Sequence, residues 1–184
     1  KIINKIKPDL IFNLASYADV RKSFDYPHEF ILNNHNSTLN LLESIRKCNL
    51  KSLFIHCSTS EVYGRVSKKE IPITENQKMR PVSPYAVSKS FQDLLSQLYH
   101  QVYGLNIIIT RMFTYNNPRR LNLFQSAFAS QISKIEKGKQ KILSHGNLNS
   151  IRSFLDLNDG MEAYWATAKK GKVGEIYNIG GNRS

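Results

Sequence analysis

Leu53-Phe54-Ile55-His56-Cys57-Ser58-Thr59-Ser60-Glu61-Val62-Tyr63-Gly64 changes character midway, from a largely apolar run to hydroxyls and a carboxylate. The first part reads as a buried strand and the second as the loop beyond its carboxyl end. Two comparable runs flank it, Leu10-Ile11-Phe12-Asn13-Leu14 and Ile107-Ile108-Ile109-Thr110. A helical stretch ending in Leu39, Leu42, Glu43 and Ile45 lies between the first and second runs. Between the second and third, Val87, Phe91, Leu94, Leu95, Leu98 and Val102 recur at helical spacing until Gly104 stops them. Phe124, Phe128, Ile132 and Ile135 predict one more helix before Lys137-Gly138. Apolar strands alternating with helices predict an α/β fold, a parallel sheet with helices on both faces. Such sheets bind ligands beyond the carboxyl ends of their strands. The site is therefore expected just after Leu14, Cys57 and Arg111.

The 184 residues, 41% of them apolar, suffice for one core and one or two domains. No apolar run reaches the roughly 18 residues of a membrane span, and the Lys1–Lys7 start lacks the features of a secretory signal. The chain has no initiator methionine and reads as cut at both ends. Its net charge of +12 comes from scattered lysines and arginines, among them Lys68, Lys69, Lys134, Lys137, Lys139, Lys141, Lys169, Lys170 and Lys172. With no nucleic-acid motif, this charge reads as solvated surface plus a few arginines kept for an anionic small molecule. Cys48 and Cys57 have no metal-type spacing; no metal is expected, and the two read as buried thiols of a reducing, cytoplasmic compartment.

Ser58-Thr59-Ser60-Glu61 are poor core formers but good site formers. Further on, Pro84-Tyr85-Ala86-Val87-Ser88-Lys89 opens a helix with proline in its first turn. Tyr85 and Lys89, four residues apart, share one helix face. An ammonium beside a phenol favours the phenolate, which makes a proton shuttle for turning a hydroxyl into a carbonyl. Tyr-x-x-x-Lys alone is a weak signal; behind a strand ending in Ser/Thr it is a strong one.

Asn13-Leu14-Ala15, Ser58–Gly64 and Ser83–Lys89, in this order, resemble the successive motifs of the extended short-chain dehydrogenase/reductase family. Asn34 and Thr38, ahead of Leu39–Glu43, match a further family helix, with Ser37 where glycine is usual. The resemblance implies a Rossmann-like fold, with Thr59, Tyr85 and Lys89 as the catalytic Ser/Thr, Tyr and Lys. It implies an NAD or NADP cofactor contacted by Asn13, Leu14, Ala15, Asn34, Ser58, Tyr85, Lys89 and Phe113. It also implies a nucleotide-sugar substrate met by Val20, Ser60, Thr114, Asn117, Arg119, Arg120 and Arg152, and a homodimer built on the helices of Leu39–Ile45 and Phe91–Val102. Phe91, Leu95, Leu98 and Val102 are more apolar than one sheet-facing stripe requires.

Glu61 narrows the choice within the family, because in its nucleotide-sugar 4,6-dehydratases a glutamate there takes the proton beside the new ketone. Related decarboxylases and some reductases carry it too. Phe113-Thr114-Tyr115-Asn116-Asn117-Pro118-Arg119-Arg120 resembles the GDP-mannose 4,6-dehydratase segment in its Pro-Arg-Arg, and the arginine fork suits a diphosphate. Thr114 stands where the family has asparagine. Arg152, in Ile151-Arg152-Ser153-Phe154, is a second phosphate candidate, with Ser153 in place of the usual aspartate, and an Asp-capped helix is expected at Asp159–Trp165. Gly174–Gly180 resembles the strand that starts the family's C-terminal substrate portion.

The expected division is residues 1–118, a partial Rossmann-type domain with the catalytic residues, and 119–184, a mixed segment with substrate-binding elements and a further strand. The first strands and the Gly-rich phosphate loop of the family have no counterpart in these residues. The 184 residues by themselves are expected to bind NAD or NADP weakly or not at all, which calorimetry checks; micromolar binding would contradict it. The leading functional expectation is a GDP-mannose-like 4,6-dehydratase. An epimerase, ketosugar reductase or decarboxylase of the same family is the alternative, and an inactive binding or dimerisation module is the reading of another class.

Overall fold

The three apolar runs form strands, the first a residue shorter than expected and the other two each two residues longer. A computed structural model describes residues 2–121, 123–149 and 151–181. In chain order the elements are α1 (Ile2–Ile6), β1 (Leu10–Asn13), α2 (Val20–Asp25), α3 (Pro27–Lys47), β2 (Leu53–Thr59), α4 (Pro84–Tyr103) and β3 (Ile107–Met112). Then come β4 (Thr114–Tyr115), α5 (Phe124–Glu136), β5 (Phe154–Leu155), α6 (Leu157–Lys170) and β6 (Ile176–Ile179). Two 3-10 turns, Ser60–Tyr63 and Lys68–Glu70, lie between β2 and α4.

The chain divides into two units, Lys1–Met112 with Ala163–Ile179, and Phe113–Glu162 with Gly180–Ser184. β6, from within residues 119–184, completes the main sheet. That sheet has the order β1-β2-β3-β6, every pair parallel. Ile176–Ile179, within the Gly174–Gly180 segment, therefore supplies a strand of the first unit.

Register sorts the side chains of the sheet onto two faces. Ile11, Phe54 and Ile107 are in line, as are Asn13, His56 and Ile109, and then Ser58 and Arg111. All of these point towards α3 and α4. At the amino ends of the strands this layer is apolar: Phe54, Ile107 and Ile109 pack with Leu42, Ile45, Tyr99 and Leu105. At the carboxyl ends it is polar, with Asn13, His56, Ser58 and Arg111 all buried. The opposite face meets the Ala163–Lys170 part of α6, where Tyr164 lies edge-on to Phe12 with ring centroids 6.4 Å apart.

Both covering helices match this gradient. α3 runs against the strands and buries Phe30, Asn34, Thr38, Leu42 and Ile45, a helical stripe that turns from mixed to apolar along its length. The buried residues of α4 are Ala86, Ser88, Lys89, Ser90, Gln92, Asp93, Ser96 and Tyr99. Its apolar stripe, Val87, Phe91, Leu94, Leu98 and Val102, is 40–60% exposed. Leu95 packs on the core, so it leaves the outward stripe and Val87 and Leu94 join it. α4 is thus polar inward and apolar outward, the reverse of an ordinary surface helix. It ends where expected, with Gly104 left-handed at φ 66°.

In the second unit β4 pairs parallel with β5. Phe124 of α5 stacks edge-on to Phe128 and Phe154, with centroids 5.8 and 5.3 Å away. α6 starts at Leu157, and the Asp156 side chain accepts the Asn158 N–H at 2.8 Å. The expected cap, Asp159, is instead in the first turn.

Candidate active site

The polar carboxyl ends of β1, β2 and β3 hold the proposed chemistry, and each residue's position follows from local structure. Thr59 closes β2, and its hydroxyl oxygen accepts the Glu61 N–H at 3.3 Å, capping the turn Ser60–Tyr63. That leaves the hydroxyl proton of Thr59 to donate elsewhere. Ser60 and Glu61 are half-buried on this turn. The turn is closed by Gly64 at φ 64°, where a Cβ would collide with the Arg80 carbonyl oxygen. Only glycine allows that approach, and it brings Arg80 N–H to the Val62 carbonyl at 2.9 Å.

Ser83 caps α4 by accepting the Ala86 N–H at 3.1 Å, and Pro84 follows in the first turn. Tyr85 is therefore held at the helix N-terminus, half-buried, where the aligned peptide dipoles favour an anion. One turn on, Lys89 is only 3% exposed, and its ammonium donates to the Cys57 carbonyl at 2.7 Å. Burial pulls its pKa down to about 8, against the smaller opposing pull of Cys57 and Asp93.

The sequence-expected cofactor residues divide by exposure. Leu14 is 68% exposed and Ala15 is exposed, so they form a surface at the end of β1. Asn13 is buried, its amide donating to Thr38 Oγ1 at 2.8 Å and lying 3.4 Å from His56 Nδ1. Asn34 accepts the Tyr17 N–H at 2.7 Å, and its amide donates to the Tyr17 carbonyl at 3.1 Å and to Ser88 Oγ at 2.8 Å. Asn34 thus holds the segment after β1, while Asn13 ties the end of β1 to α3 and β2, and their reach towards a ligand is through what they position. Ser58 is 5% exposed, with no protein partner for its hydroxyl among the described residues. Val20 opens α2 behind the Asp19 cap.

Sequence reading missed the layer beneath. Gln92 donates to Thr38 Oγ1 and to the Asn34 carbonyl, both at 2.7 Å. His56 is fully buried and is held neutral by desolvation, with Lys89 and Arg111 adding to the effect. Arg111 grips Asp93 through two bonds, 2.9 and 3.1 Å. Charged or amide residues breaking an apolar helical or strand pattern, as Gln92, Asp93 and Arg111 do, were the available signal. Glu70 and Glu75 are tied into their loop. Glu70 accepts from Ser67 N–H and Gln77, both at 2.9 Å, and pairs with Arg80; Glu75 accepts the Asn178 N–H at 2.8 Å.

In the second unit, Asn117 makes a turn by accepting the Arg119 N–H on its side chain at 3.0 Å and the Arg120 N–H on its carbonyl at 3.1 Å. Arg119 and Arg152 are exposed, and Phe113, Thr114 and Arg120 are half-buried. Ser153, in the place of an aspartate, donates to the Gly181 carbonyl at 2.9 Å. The thiols are both free; Cys57 is buried as expected, whereas Cys48 is only half-buried at the end of α3. Among the described residues no helix is long and apolar enough to cross a membrane.

A parallel sheet ending in Ser/Thr, beside a helix that opens Tyr-x-x-x-Lys, defines the Rossmann-like short-chain dehydrogenase/reductase class. Within it, the family model described as GDP-mannose 4,6 dehydratase matches residues 1–184. The chain belongs to that family. The dTDP-glucose 4,6-dehydratase of Haemophilus influenzae is 34% identical over 98% of this chain and 55% of its own. The GDP-6-deoxy-D-mannose reductase of Pseudomonas aeruginosa is 31% identical over 94% of this chain and 57% of its own. A solved structure, RMD from Pseudomonas aeruginosa complexed with NADPH, superposes with a TM-score of 0.90 at 30% identity, covering 94% of this chain and 60% of that one. The chain thus spans a little over half the length of the curated relatives it matches.

Proposed function

We propose that this chain carries the catalytic residues of a nucleotide-sugar 4,6-dehydratase acting on a GDP-mannose-like substrate. In this reading Tyr85 accepts the proton of the C4 hydroxyl, Thr59 donates a hydrogen bond to the same oxygen, and Lys89 holds Tyr85 in its anionic form. Glu61 takes the proton from C5, next to the new carbonyl, and the C6 hydroxyl departs as water. A nicotinamide dinucleotide, NAD or NADP, would accept hydride from C4 and return it to C6. The exposed Leu14-Ala15 surface and the Tyr85–Lys89 pair fit its nicotinamide-ribose end, and the RMD structure with NADPH supports the same choice. No pyrophosphate cradle fits, because the described glycines with positive φ, Gly64, Gly104, Gly138 and Gly174, are isolated from one another. Arg119, Arg120 and Arg152 are proposed diphosphate contacts, with Val20, Ser60, Thr114 and Asn117 lining the sugar.

Glu61 carries the dehydratase reading: it sits on a short turn fixed by Thr59, while Glu70 and Glu75 are engaged elsewhere. Incubating the intact enzyme with GDP-mannose and cofactor is expected to yield a 4-keto-6-deoxy sugar with no net change in cofactor redox state. Net consumption of reduced cofactor on a 4-keto sugar would favour a reductase instead, a reading that the Pseudomonas relative supports. The free thiols support a reducing, cytoplasmic setting.

We further propose a homodimer in which the outward stripe of α4 and the neighbouring part of α3 form the interface. His35 already packs on Phe91 there, with ring centroids 4.3 Å apart. Contiguous exposed apolar surface of this kind marks association. Light scattering is expected to give a dimer for the wild type and a monomer for Leu94→Lys. A wild-type monomer at all concentrations would overturn the interface.

A further inference from the structure

The proposed base and the proposed phenol are on separate elements: Glu61 on the turn Ser60–Tyr63, Tyr85 on the first turn of α4. Their separation must be fixed by whatever ties the turn to the helix. Arg111, on β3 between Ser58 of β2 and Asn178 of β6, occupies that place. Its Nε and Nη2 grip both carboxylate oxygens of Asp93, which follows Lys89 by one helical turn. Its Nη1 donates to the Tyr63 hydroxyl at 3.0 Å and to the Glu75 carbonyl at 2.9 Å. The Tyr63 hydroxyl, having accepted from Arg111, donates to Asn178 Oδ1 at 2.7 Å. Asn178 in turn holds Ile73 and Glu75 of the loop that follows. Asp93, Tyr63 and Arg111 are at most 3% exposed.

Burying an ion pair is a poor way to gain stability, because both charges are taken out of water. A bidentate guanidinium–carboxylate pair supplies direction instead, since both planes and both bonds must align. Here the pair has one end on the helix of Tyr85 and, through Tyr63, the other on the turn of Glu61. We infer that Arg111 and Asp93, relayed by Tyr63, are positioning residues that set the Glu61 turn against the N-terminal half of α4. The inference rests on the roles proposed for Glu61 and Tyr85.

The test uses Tyr63→Phe, Asp93→Asn and Arg111→Lys in the intact enzyme, with steady-state kinetics on GDP-mannose and amide hydrogen exchange. Tyr63→Phe keeps the buried ring and loses only the relay. It is expected to lower kcat by about thirtyfold, as for a modest misplacement of a reacting group, with KM changed less than about threefold. Exchange at Glu61–Gly64 should accelerate at least about tenfold while the core of β3 stays protected. Arg111→Lys keeps the charge but not the fork and is expected to behave like Tyr63→Phe. Should Asp93→Asn fail to fold, Tyr63→Phe decides. A folded Tyr63→Phe with wild-type kcat and unchanged exchange overturns the inference. If the wild type turns over no nucleotide sugar, the functional reading fails, and exchange alone then decides whether this tie holds the turn.

Discussion

Replacing Glu61 by glutamine in the intact enzyme is expected to abolish dehydration while sparing oxidation at C4. A proton beside a ketone is acidic enough for a carboxylate to remove, and an amide cannot accept it. Among the described residues, the two carboxylates of the loop that follows are engaged elsewhere. Glu70 is committed to Ser67, Gln77 and Arg80, and the Ser67 N–H foremost holds its carboxyl at about pKa 2. Glu75 is committed to the Asn178 N–H. Loss of one positioned base costs roughly 10²–10⁴-fold in rate. Loss of a single loop-ordering hydrogen bond costs about 1 kcal/mol, or about fivefold if felt fully in the transition state. The two explanations of Glu61 therefore differ by at least about an order of magnitude. Single-turnover measurement of reduced cofactor beside product should show the 4-keto sugar accumulating in Glu61→Gln. Turnover like the wild type would remove the main reason for preferring a dehydratase over an epimerase or reductase.

Lys89→Met is expected to cost roughly 10²–10⁴-fold in turnover, through loss of the charge that favours the Tyr85 phenolate. The same variant should reshape stability against pH. Burial lowers the Lys89 pKa from 10.5 to about 8. Below about pH 8 both the folded and the unfolded chain hold the proton. Between about 8 and 10.5 the unfolded chain binds it and the folded chain does not, so stability from this group rises with pH across that window. The limit of the rise is about 3 kcal/mol. Cys57 acts in the opposite sense: burial foremost raises its pKa from 9.0 to about 11, so its contribution falls with pH across that range. Cys57 is present in both proteins, so the difference between their denaturant midpoints at pH 7.5 and 10 reports Lys89 together with its coupling to Cys57. An identical pH dependence in wild type and variant would contradict the burial of a charged ammonium.

Legibility in the sequence followed the kind of signal each residue carries. β2 and β3 were readable because they are apolar runs with short helical connections, and Gly104 announced the end of α4 by its conformational freedom. The places of Thr59 at a strand end and of Tyr85 and Lys89 at a helix start were readable because such residue types are unusual there. The orientation of α4 was only half readable. Its apolar residues predict a buried stripe, yet the buried face is Ser88, Lys89, Gln92, Asp93 and Ser96, because the strand ends beneath it are polar as well. Burial there is decided by hydrogen-bond partners that are distant in sequence, such as Thr38 for Gln92 and Arg111 for Asp93. No local pattern encodes such pairs. The interleaving of the two units was hidden for the same reason, since β6 joins the sheet only through its pairing with β3.

The gradient in the layer beneath α3 and α4 also sets how the two ends of the sheet respond to heat. Exposing apolar groups raises the heat capacity and exposing polar groups lowers it. Opening the amino ends, with Phe54, Ile107, Ile109 and Leu42, carries the large positive increment of ordinary unfolding. Opening the carboxyl ends, with Asn13, Thr38, His56, Gln92 and Asp93, exposes opposing contributions that largely cancel. Its free energy therefore curves little with temperature, and this end can loosen and re-form with little of the heat-capacity step that marks melting of the rest.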